Sequence, residues 1–223
     1  LNRQYVFDLA ALPAEITATL GTTAGFRQLI LLGHGGKRLW ECVQAAGGAG
    51  GDPIDDYCAR AVADWFSAEL PGRRYRIVYP GSAPVPLQQL GTLAGWHQPT
   101  PFMIGIDPHW GTWYAYRAVV LADTGFCPSE AVDRAHEEVP LGGSNPCANC
   151  LEKPCISVCP AGAMASSGFV LERCVDYRKT GQSQCKHTCL ARITCPVGSE
   201  HRYGDEQMRH AYSHSLRMIE RHR

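Results

Sequence analysis

The sequence predicts an α+β protein, with a mixed α/β region followed by a small cysteine-rich region. Apolar runs that end at glycine or proline alternate with segments of helical period up to about residue 144, which indicates strands and helices in one domain. Eight of the eleven cysteines then fall between residues 147 and 195. We therefore expect a first domain over 1–144, a second over 145–200, and a C-terminal helix over 201–223 that packs back on the first domain.

Four short apolar segments predict the strands of the first domain. They are "FRQLILLG" (26–33), "RRYRIVY" (73–79), "FMIGID" (102–107) and "TWYAYRAVVLAD" (112–123). Each is rich in aliphatic or aromatic residues, and turn-forming residues lie close to its ends, as in strands of known proteins.

Helices are predicted between these strands. The clearest covers 51–70, where Asp52 can cap the N-terminus, Pro53 suits the first helical position and Pro71 follows the end. Its apolar residues recur at helical spacing and predict one core-facing side: Cys58, Ala61, Val62, Trp65 and Phe66. Shorter helices are expected after "HGG" (34–36), over 86–96 and over 130–139.

Arg117 stands inside the apolar segment 112–123. A buried strand rarely carries an unpaired arginine, because burying an uncompensated charge is very costly. Two interpretations stay open. The guanidinium pairs with an acid such as Asp123 or lies at an edge, or else it binds an anionic ligand.

The charges balance, with 21 Lys and Arg residues against 21 Asp and Glu residues. A neutral chain argues against a protein that binds nucleic acid by bulk charge. The longest apolar runs are far shorter than the roughly 20 residues of a membrane-spanning helix, and "LNRQYVFDLA" lacks a secretory apolar region. We expect a soluble, cytoplasmic protein with no nucleic-acid or membrane partner.

The cysteine-rich region has a spacing typical of iron–sulfur ligation. It reads C-x2-C-x4-C-x3-C-P, then a single cysteine, then C-x3-C-x5-C-P. Disulfides are disfavoured, because nothing marks the chain as secreted. Structural zinc is the more distant alternative, since it usually takes two separated C-x2-C pairs. Two [4Fe–4S] clusters account for all eight cysteines, because each cluster takes four thiolates.

The ligand sets follow from a known crossover. In two-cluster ferredoxins, the cysteine before proline ligates the other cluster. One predicted set, named the first quartet, is Cys147, Cys150, Cys155 and Cys195. The other, named the second quartet, is Cys159, Cys174, Cys185 and Cys189. Three cysteines lie outside both quartets, and of these Cys58 is expected to pack as a small hydrophobe: Cys42, Cys58 and Cys127.

The stretch "IDPHWGTWYAYRAVVLAD" (106–123) combines a proline, an aromatic–glycine pair, a tryptophan, an aromatic residue and an arginine-led apolar run. These are Pro108, Trp110-Gly111, Trp113, Tyr114 and Arg117 to Leu121. This combination resembles the cobalamin-processing proteins of the CblC type. "DPIDDYCARAVADWF" (52–66) and the tail from His201 are similar to segments of the same family. The resemblance implies a nitroreductase-like fold for the first domain.

The arrangement as a whole resembles epoxyqueuosine reductases and reductive dehalogenases, in which a cobalamin-binding domain precedes two [4Fe–4S] clusters. "GSAPVPLQQLGTLAGW" (81–96) and "LERCVDYRK" (171–179) are similar to the reductase, as is the order of the eight cysteines. This implies a ferredoxin-like second domain. Gly81 stands where those reductases carry an aspartate as proton donor, which argues against epoxyqueuosine reduction.

The resemblance implies a corrinoid pocket, which must be large and mainly apolar. Its candidate contacts are Trp96, His97, Trp110, Trp113, Tyr114 and Arg117. Since clusters supply single electrons, the expected function is a cobalamin reductase or a reductive, decyanating cobalamin-processing protein. An external ferredoxin or flavoprotein would supply its electrons. Two alternatives stay open: an electron carrier without chemistry of its own, and an FMN-dependent reductase.

Overall fold

A computed structural model describes residues 1–48, 51–127, 145–165 and 168–222 of the chain. The described part contains eight α-helices and a four-stranded antiparallel sheet, which confirms the α+β prediction. The chain consists of two compact units. The first is Leu1–Gly95 with Tyr114–Pro140, and the second is Trp96–Trp113 with Leu141–Arg223.

The sheet of the first unit has the order β1–β2–β4–β3, and all neighbours are antiparallel. Its strands are β1 (Arg3–Asp8), β2 (Gln28–Gly35), β3 (Tyr75–Tyr79) and β4 (Tyr114–Ala122). β2 and β4 lie in the centre and are largely buried, which explains their continuous apolar runs. Three predicted strands are thereby confirmed. β1 escapes prediction, because the charged residues at both of its ends obscure its alternation.

The described residues of the first unit form four helices: α1 (Ala14–Thr17), α2 (Arg38–Ala45), α3 (Pro53–Glu69) and α4 (Leu87–Leu93). α3 begins as predicted, since the Asp52 carboxylate accepts a hydrogen bond from the Asp55 backbone N–H at 3.5 Å. Phe66 packs into the core beside the sheet, and burial of such a side chain stabilises by about 1.5–3 kcal/mol. The core prediction for Trp65 is wrong. Trp65 is 42% exposed, because it lies about 100° round the helix from Phe66.

The predicted strand "FMIGID" (102–107) is also wrong. Here the described chain forms isolated bridges, between Gln98 and Ile106 and between Asp107 and Gly111. The Thr100 hydroxyl donates to the carbonyl of Ile104 at 2.7 Å and so closes a turn. The segment also has prolines before and after it, and proline lacks the N–H that a strand ladder needs.

The second unit is built from short elements around its cysteines. Its helices are α5 (Pro154–Ser157), α6 (Leu171–Lys179), α7 (Leu190–Thr194) and α8 (Asp205–His222), and its two-residue strands are β5 (Met164–Ala165) and β6 (Gly168–Phe169). Trp113, Tyr203 and Met208 form one of its core clusters. The predicted C-terminal helix is α8, which contributes Met208 to this cluster.

Two loops of the second unit meet at glycines. Gly111 and Gly198 have φ values of +58° and +62°, which disfavour any other residue. A Cβ atom on Gly111 would lie 2.0 Å from the Val197 carbonyl oxygen. The glycine therefore allows the loop at 107–111 to lie directly against the chain that follows Cys195.

The predicted helix over 130–139 lies outside the described residues. Among the residues that the structure describes, no helix is both long enough and apolar enough to cross a membrane.

Candidate metal centres

The first quartet lines one narrow cavity of the second unit. Asn145 shapes the turn that holds Cys147. Its Oδ1 accepts from the Cys147 backbone N–H at 2.9 Å, and its Nδ2 donates to the Pro99 carbonyl at 3.0 Å. Cys155 lies in α5, and Cys195 directly follows α7. Much of the remaining wall is apolar: Pro101, Phe102, Ile106, Pro146, Pro154, Pro196 and Val197.

The thiols of the first quartet act on one another electrostatically. Burial, followed by the charges of Cys195, Cys155 and Cys150, raises the pKa of Cys147 to about 11. Burial is also the main cause that raises the pKa of Cys155, and Cys195 and Cys150 add to it. The pKa of Cys195 is raised by burial and by Cys150, against a backbone hydrogen bond that lowers it. Such mutual effects require short distances, so the four thiols lie together.

The second quartet forms a separate group. Cys174 lies in α6, Cys189 directly precedes α7, and Cys159 and Cys185 lie in loops. Burial raises the pKa of Cys174, and the charges of Cys189, Cys159 and Cys185 raise it further. Burial likewise raises the pKa of Cys185, with Cys189 and Cys159 adding to it. Every cysteine that acts on Cys174 or Cys185 therefore belongs to the second quartet.

Near two short helices, cysteines that are neighbours in the sequence belong to different quartets. α5 contains Cys155 of the first quartet and ends two residues before Cys159 of the second. α7 has Cys189 of the second quartet directly before it and Cys195 of the first directly after it. The gap of C-x5-C-P is therefore a helix that spans about 9 Å between cysteines of different quartets. The structure brings the thiols together in the sets that the crossover rule predicts, and cluster ligation itself stays a prediction.

Among the described residues, no three His, Cys, Asp or Glu side chains form a group that could hold a metal ion. A [4Fe–4S] cluster makes a different demand, because each thiolate binds its own iron at the outside of the cluster. Four buried or half-buried thiols around one small volume are the donor set that such a cluster takes. Both quartets fit that chemistry.

Arg178 is a buried arginine beside the second quartet, and it is not among the site residues that the cysteine motif predicts. It is 6% exposed and follows Cys174 by one helical turn of α6. Its Nε donates to the Cys185 carbonyl at 3.1 Å, and its Nη2 donates to the Tyr212 carbonyl at 2.9 Å. Burial raises the pKa of Cys174 and Cys185, and the charge of Arg178 partly opposes that increase.

Arg192 is a second buried arginine, 7% exposed, in α7. It donates to the Thr112 carbonyl, and its guanidinium carbon lies 4.5 Å from the centre of the Trp113 ring. Burial raises the pKa of Tyr212 to about 12, and Arg192, Cys189 and Arg178 all act on that hydroxyl. The signal that could have revealed both arginines is their position one turn after a cysteine, in "CVDYR" and "CLAR".

The two groups of thiols and the arginines beside them are the main features of the candidate site. Comparisons with protein-family models, curated proteins and solved structures found no match.

The six predicted corrinoid contacts are divided between the units. Trp96, His97, Trp110 and Trp113 belong to the second, and Tyr114 and Arg117 belong to the first. Trp113 is 0% exposed and so offers a ligand no surface in this conformation. Trp96, Trp110 and Tyr114 are also buried. His97 is half-buried, and burial lowers its pKa.

Arg117 occupies an irregular position of β4, where the register with β2 shifts by one residue. Such a bulge re-aims the side chain. The Nε of Arg117 is buried and has no hydrogen-bond partner among the described residues. Asp123, the acid considered for it, instead pairs with Arg27 at 3.6 Å and Arg74 at 3.5 Å. Asp123 is therefore engaged by other arginines, and ligand binding by Arg117 stays a prediction.

His34 and Cys58 are influenced by the charge of Arg117. Burial, followed by the charges of the N-terminus and Arg117, lowers the pKa of His34 to about 4. His34 Nε2 accepts from the Leu39 N–H at 3.1 Å, which also requires an unprotonated Nε2. Burial raises the pKa of Cys58 to about 11. Cys58 is 0% exposed and packs with Val43 and Ile54, as predicted for a small hydrophobe.

A cavity of about 440 Å³ lies elsewhere in the first unit. Apolar and aromatic side chains form much of its wall, among them Val6, Leu32, Val62, Trp65, Phe66 and Phe126. Its volume is in the lower part of the range for small-molecule sites, about 300–1,000 Å³. None of the six predicted corrinoid contacts lines it.

Proposed function

We propose that this chain is an iron–sulfur electron-transfer protein with one [4Fe–4S] cluster at each quartet. The observation that carries the proposal is the grouping of eight thiols into two sets of four, each with its own electrostatic coupling. Clusters of this kind supply single electrons, many of them at low potential.

The chain's own residues would bind the clusters and limit the access of water to them. Iron binds thiolates, whereas burial favours the neutral thiol at Cys147, Cys155, Cys174, Cys185 and Cys195. Cluster assembly must therefore release protons. The apolar wall around the first quartet and the buried positions of Cys155, Cys185 and Cys195 keep much of each site away from solvent.

We propose a corrinoid as the substrate that receives the electrons, in line with the resemblance of segment 106–123. Arg117 supports this, because its buried Nε is available for an anionic group such as the phosphate of a corrinoid. An external ferredoxin or flavoprotein would supply electrons one at a time. Each electron would lower the cobalt oxidation state by one, as in a cobalamin reductase or a reductive cobalamin-processing protein.

An FMN-dependent reductase is the second candidate. The cavity of about 440 Å³ beside Trp65 and Phe126 favours it, since that volume suits a ligand smaller than a corrin. The two candidates share the clusters and differ in the ligand of the first unit.

The cluster proposal is tested by purifying the protein without oxygen and measuring iron, acid-labile sulfide and zinc. We expect about eight iron and eight sulfide atoms per chain, from two four-iron clusters. Zinc without sulfide would overturn the proposal.

The substrate proposal is tested by titrating hydroxocobalamin into the anaerobic protein. We expect a spectral shift with a micromolar or lower Kd, roughly −8 kcal/mol, and conversion of Co(III) to Co(II) after reduction with dithionite. Arg117→Ala should weaken binding at unchanged iron content, while Arg74→Ala, which changes an arginine already paired with Asp123, serves as the control. FMN that co-purifies, together with no cobalamin binding, would favour the second candidate.

A further inference from the structure

Arg178 and Arg192 are buried charges without a buried counter-charge. The groups that accept hydrogen bonds from Arg178 are neutral: the carbonyls of Cys185, Lys186 and Tyr212 and the Ser215 hydroxyl. The ion pairs of the described residues involve neither arginine. A guanidinium stays protonated in proteins, and burying it unpaired is costly. The folded chain therefore holds positive charge that a nearby anion would stabilise.

The geometry directs both charges towards the second quartet. Helical side chains lean towards the helix N-terminus and lie over the preceding turn. In α6 that turn holds Cys174, four residues before Arg178, and in α7 it leads to Cys189, three residues before Arg192. Arg178 also bonds directly to the Cys185 carbonyl. Arg178 thus lies near two thiols of the quartet. Arg192 and Cys189 both act on the Tyr212 hydroxyl, so Arg192 lies in the same region.

Among the described residues, the first quartet has no such buried arginine beside it. The cation that acts on Cys147 is Lys153, which is exposed, so water screens its charge. Lys186 and His187 also flank Cys185 of the second quartet, but they are half-buried and exposed respectively and are screened in the same way. The buried arginines are thus what distinguishes the electrostatics of the second quartet.

We propose that Arg178, assisted by Arg192, raises the reduction potential of the cluster at the second quartet, so that this cluster is reduced before the cluster at the first. The inference rests on the proposed function, because it requires a cluster at each quartet. A thiolate-ligated cluster is an anion whose negative charge grows by one when it accepts an electron. A fixed positive charge nearby stabilises the reduced form more than the oxidised form, and net charge is one determinant of cluster potential. The electron comes from an external one-electron donor, which is oxidised by one electron, and no bond or proton need move.

The order of reduction is tested without changing either arginine. Anaerobic protein is titrated potentiometrically with dithionite, and the reduced clusters are followed by electron paramagnetic resonance. Wild-type protein should show two midpoints. Cys195→Ala, which removes a ligand of the first quartet, should retain the more positive midpoint, and Cys174→Ala should retain the more negative one. Coincident midpoints, or the opposite assignment, would overturn the inference.

The role of charge is tested by Arg178→Met, Arg178→Lys and Arg192→Met. Arg178→Met should lower the equilibrium constant for reduction of the second cluster at least tenfold, a shift of about 59 mV for one electron. Arg192→Met should cause a smaller shift in the same direction, and Arg178→Lys should restore part of the wild-type potential. Arg202→Gln is the control, because this exposed arginine also lies beside Trp113, and it should move neither midpoint.

Iron and sulfide content separates the possible failures. A wild-type chain without clusters overturns the proposed function and this inference with it. Eight iron atoms with unchanged potentials in Arg178→Met overturn the inference alone. An equal shift in Arg178→Met and Arg178→Lys contradicts a role for charge and indicates a packing role. If Arg178→Met loses iron, the order measured in the two cysteine variants still decides the inference.

Discussion

Each quartet consists of four cysteine thiols, but the two quartets have different surroundings. The first lines a cavity whose wall includes four prolines and aromatic or aliphatic side chains, beside one exposed lysine. The second lies between α6, α7 and their loops, with two buried arginines close to it. Because the ligand atoms are identical, any functional difference between the sites must come from the surrounding charge and burial.

The comparison shows that ligand spacing and electrostatic environment are encoded separately. The spacing of the cysteines determines which thiols meet. The environment depends on residues such as Arg178, which donates to a backbone carbonyl rather than to a thiol. A chain with the same cysteines and without the arginines would still present two quartets.

The largest expected effect follows from replacing one cysteine ligand in each site in turn. Cys195→Ala should lose the cluster of the first quartet and retain the other, so iron should fall from about eight to about four atoms per chain. Cys159→Ala should leave the same amount of iron in the opposite site. Spectra of the two reduced variants should then add up to the wild-type spectrum. If Cys147→Ala and Cys159→Ala damage the same cluster, the assignment of the quartets is wrong.

Gly111→Ala should disturb the first quartet by displacing the chain that follows Cys195. The new Cβ would lie 2.0 Å from the Val197 carbonyl, so the chain after Cys195 would have to shift. We expect destabilisation of more than about 3 kcal/mol in chemical denaturation, with iron lost first from the first quartet. Gly162→Ala is the matched control, since its φ is +54° and no atom lies within 4 Å of its Cβ. The control should cost only the backbone strain of about 1–2 kcal/mol.

Acid should weaken the first unit by a route that involves neither quartet. The pKa of His34 is lowered from 6.5 to about 4 in the folded chain, so the unfolded chain binds the proton more readily. The stabilising effect of neutral His34 is complete above pH 6.5 and is lost as the pH falls towards 4. It amounts to roughly 3 kcal/mol at most. Denaturation curves of wild type and His34→Gln should diverge over this interval, and parallel curves would contradict the prediction.

The smallest expected effect comes from a cysteine outside both quartets. Cys58 is fully buried in the first unit and packs as a hydrophobe, so Cys58→Ala should cost about 1 kcal/mol of stability. Its iron and sulfide content should equal that of wild type. Loss of either cluster in this variant would mean that the ligands extend beyond the eight cysteines of the second unit.

Local patterns predict the regular elements well. The cap at Asp52 marks where α3 begins, and the apolar runs of β2 and β4 mark the centre of the sheet, because burial on both faces removes polar residues. The same approach fails for 102–107, where an apolar segment is held by turns and by the Thr100 hydroxyl. It also misplaces Trp65, because the periodicity of a helix does not reveal how wide its buried face is.

The candidate site is predictable to a similar extent. The cysteine spacing predicts two sets of four thiols, and the same two sets come together in the structure. The arginines are not predictable from ligand motifs, because their burial depends on packing of α8 and of the chain around Trp113. The corrinoid contacts stay predictions, and the full burial of Trp113 shows that an aromatic residue in a family-like motif can serve the core instead.

The sharing of α5 and α7 between the two quartets has a consequence for how the protein matures. Cysteines of both sets lie within or close to the ends of each helix, and Cys155, Val158, Cys189 and Ala191 pack in one cluster. Filling one site would order both helices and so reduce the conformational entropy still to be lost at the other. Loading should therefore be cooperative. At limiting iron, native mass spectrometry should find mainly empty and doubly loaded chains, with few that carry a single cluster.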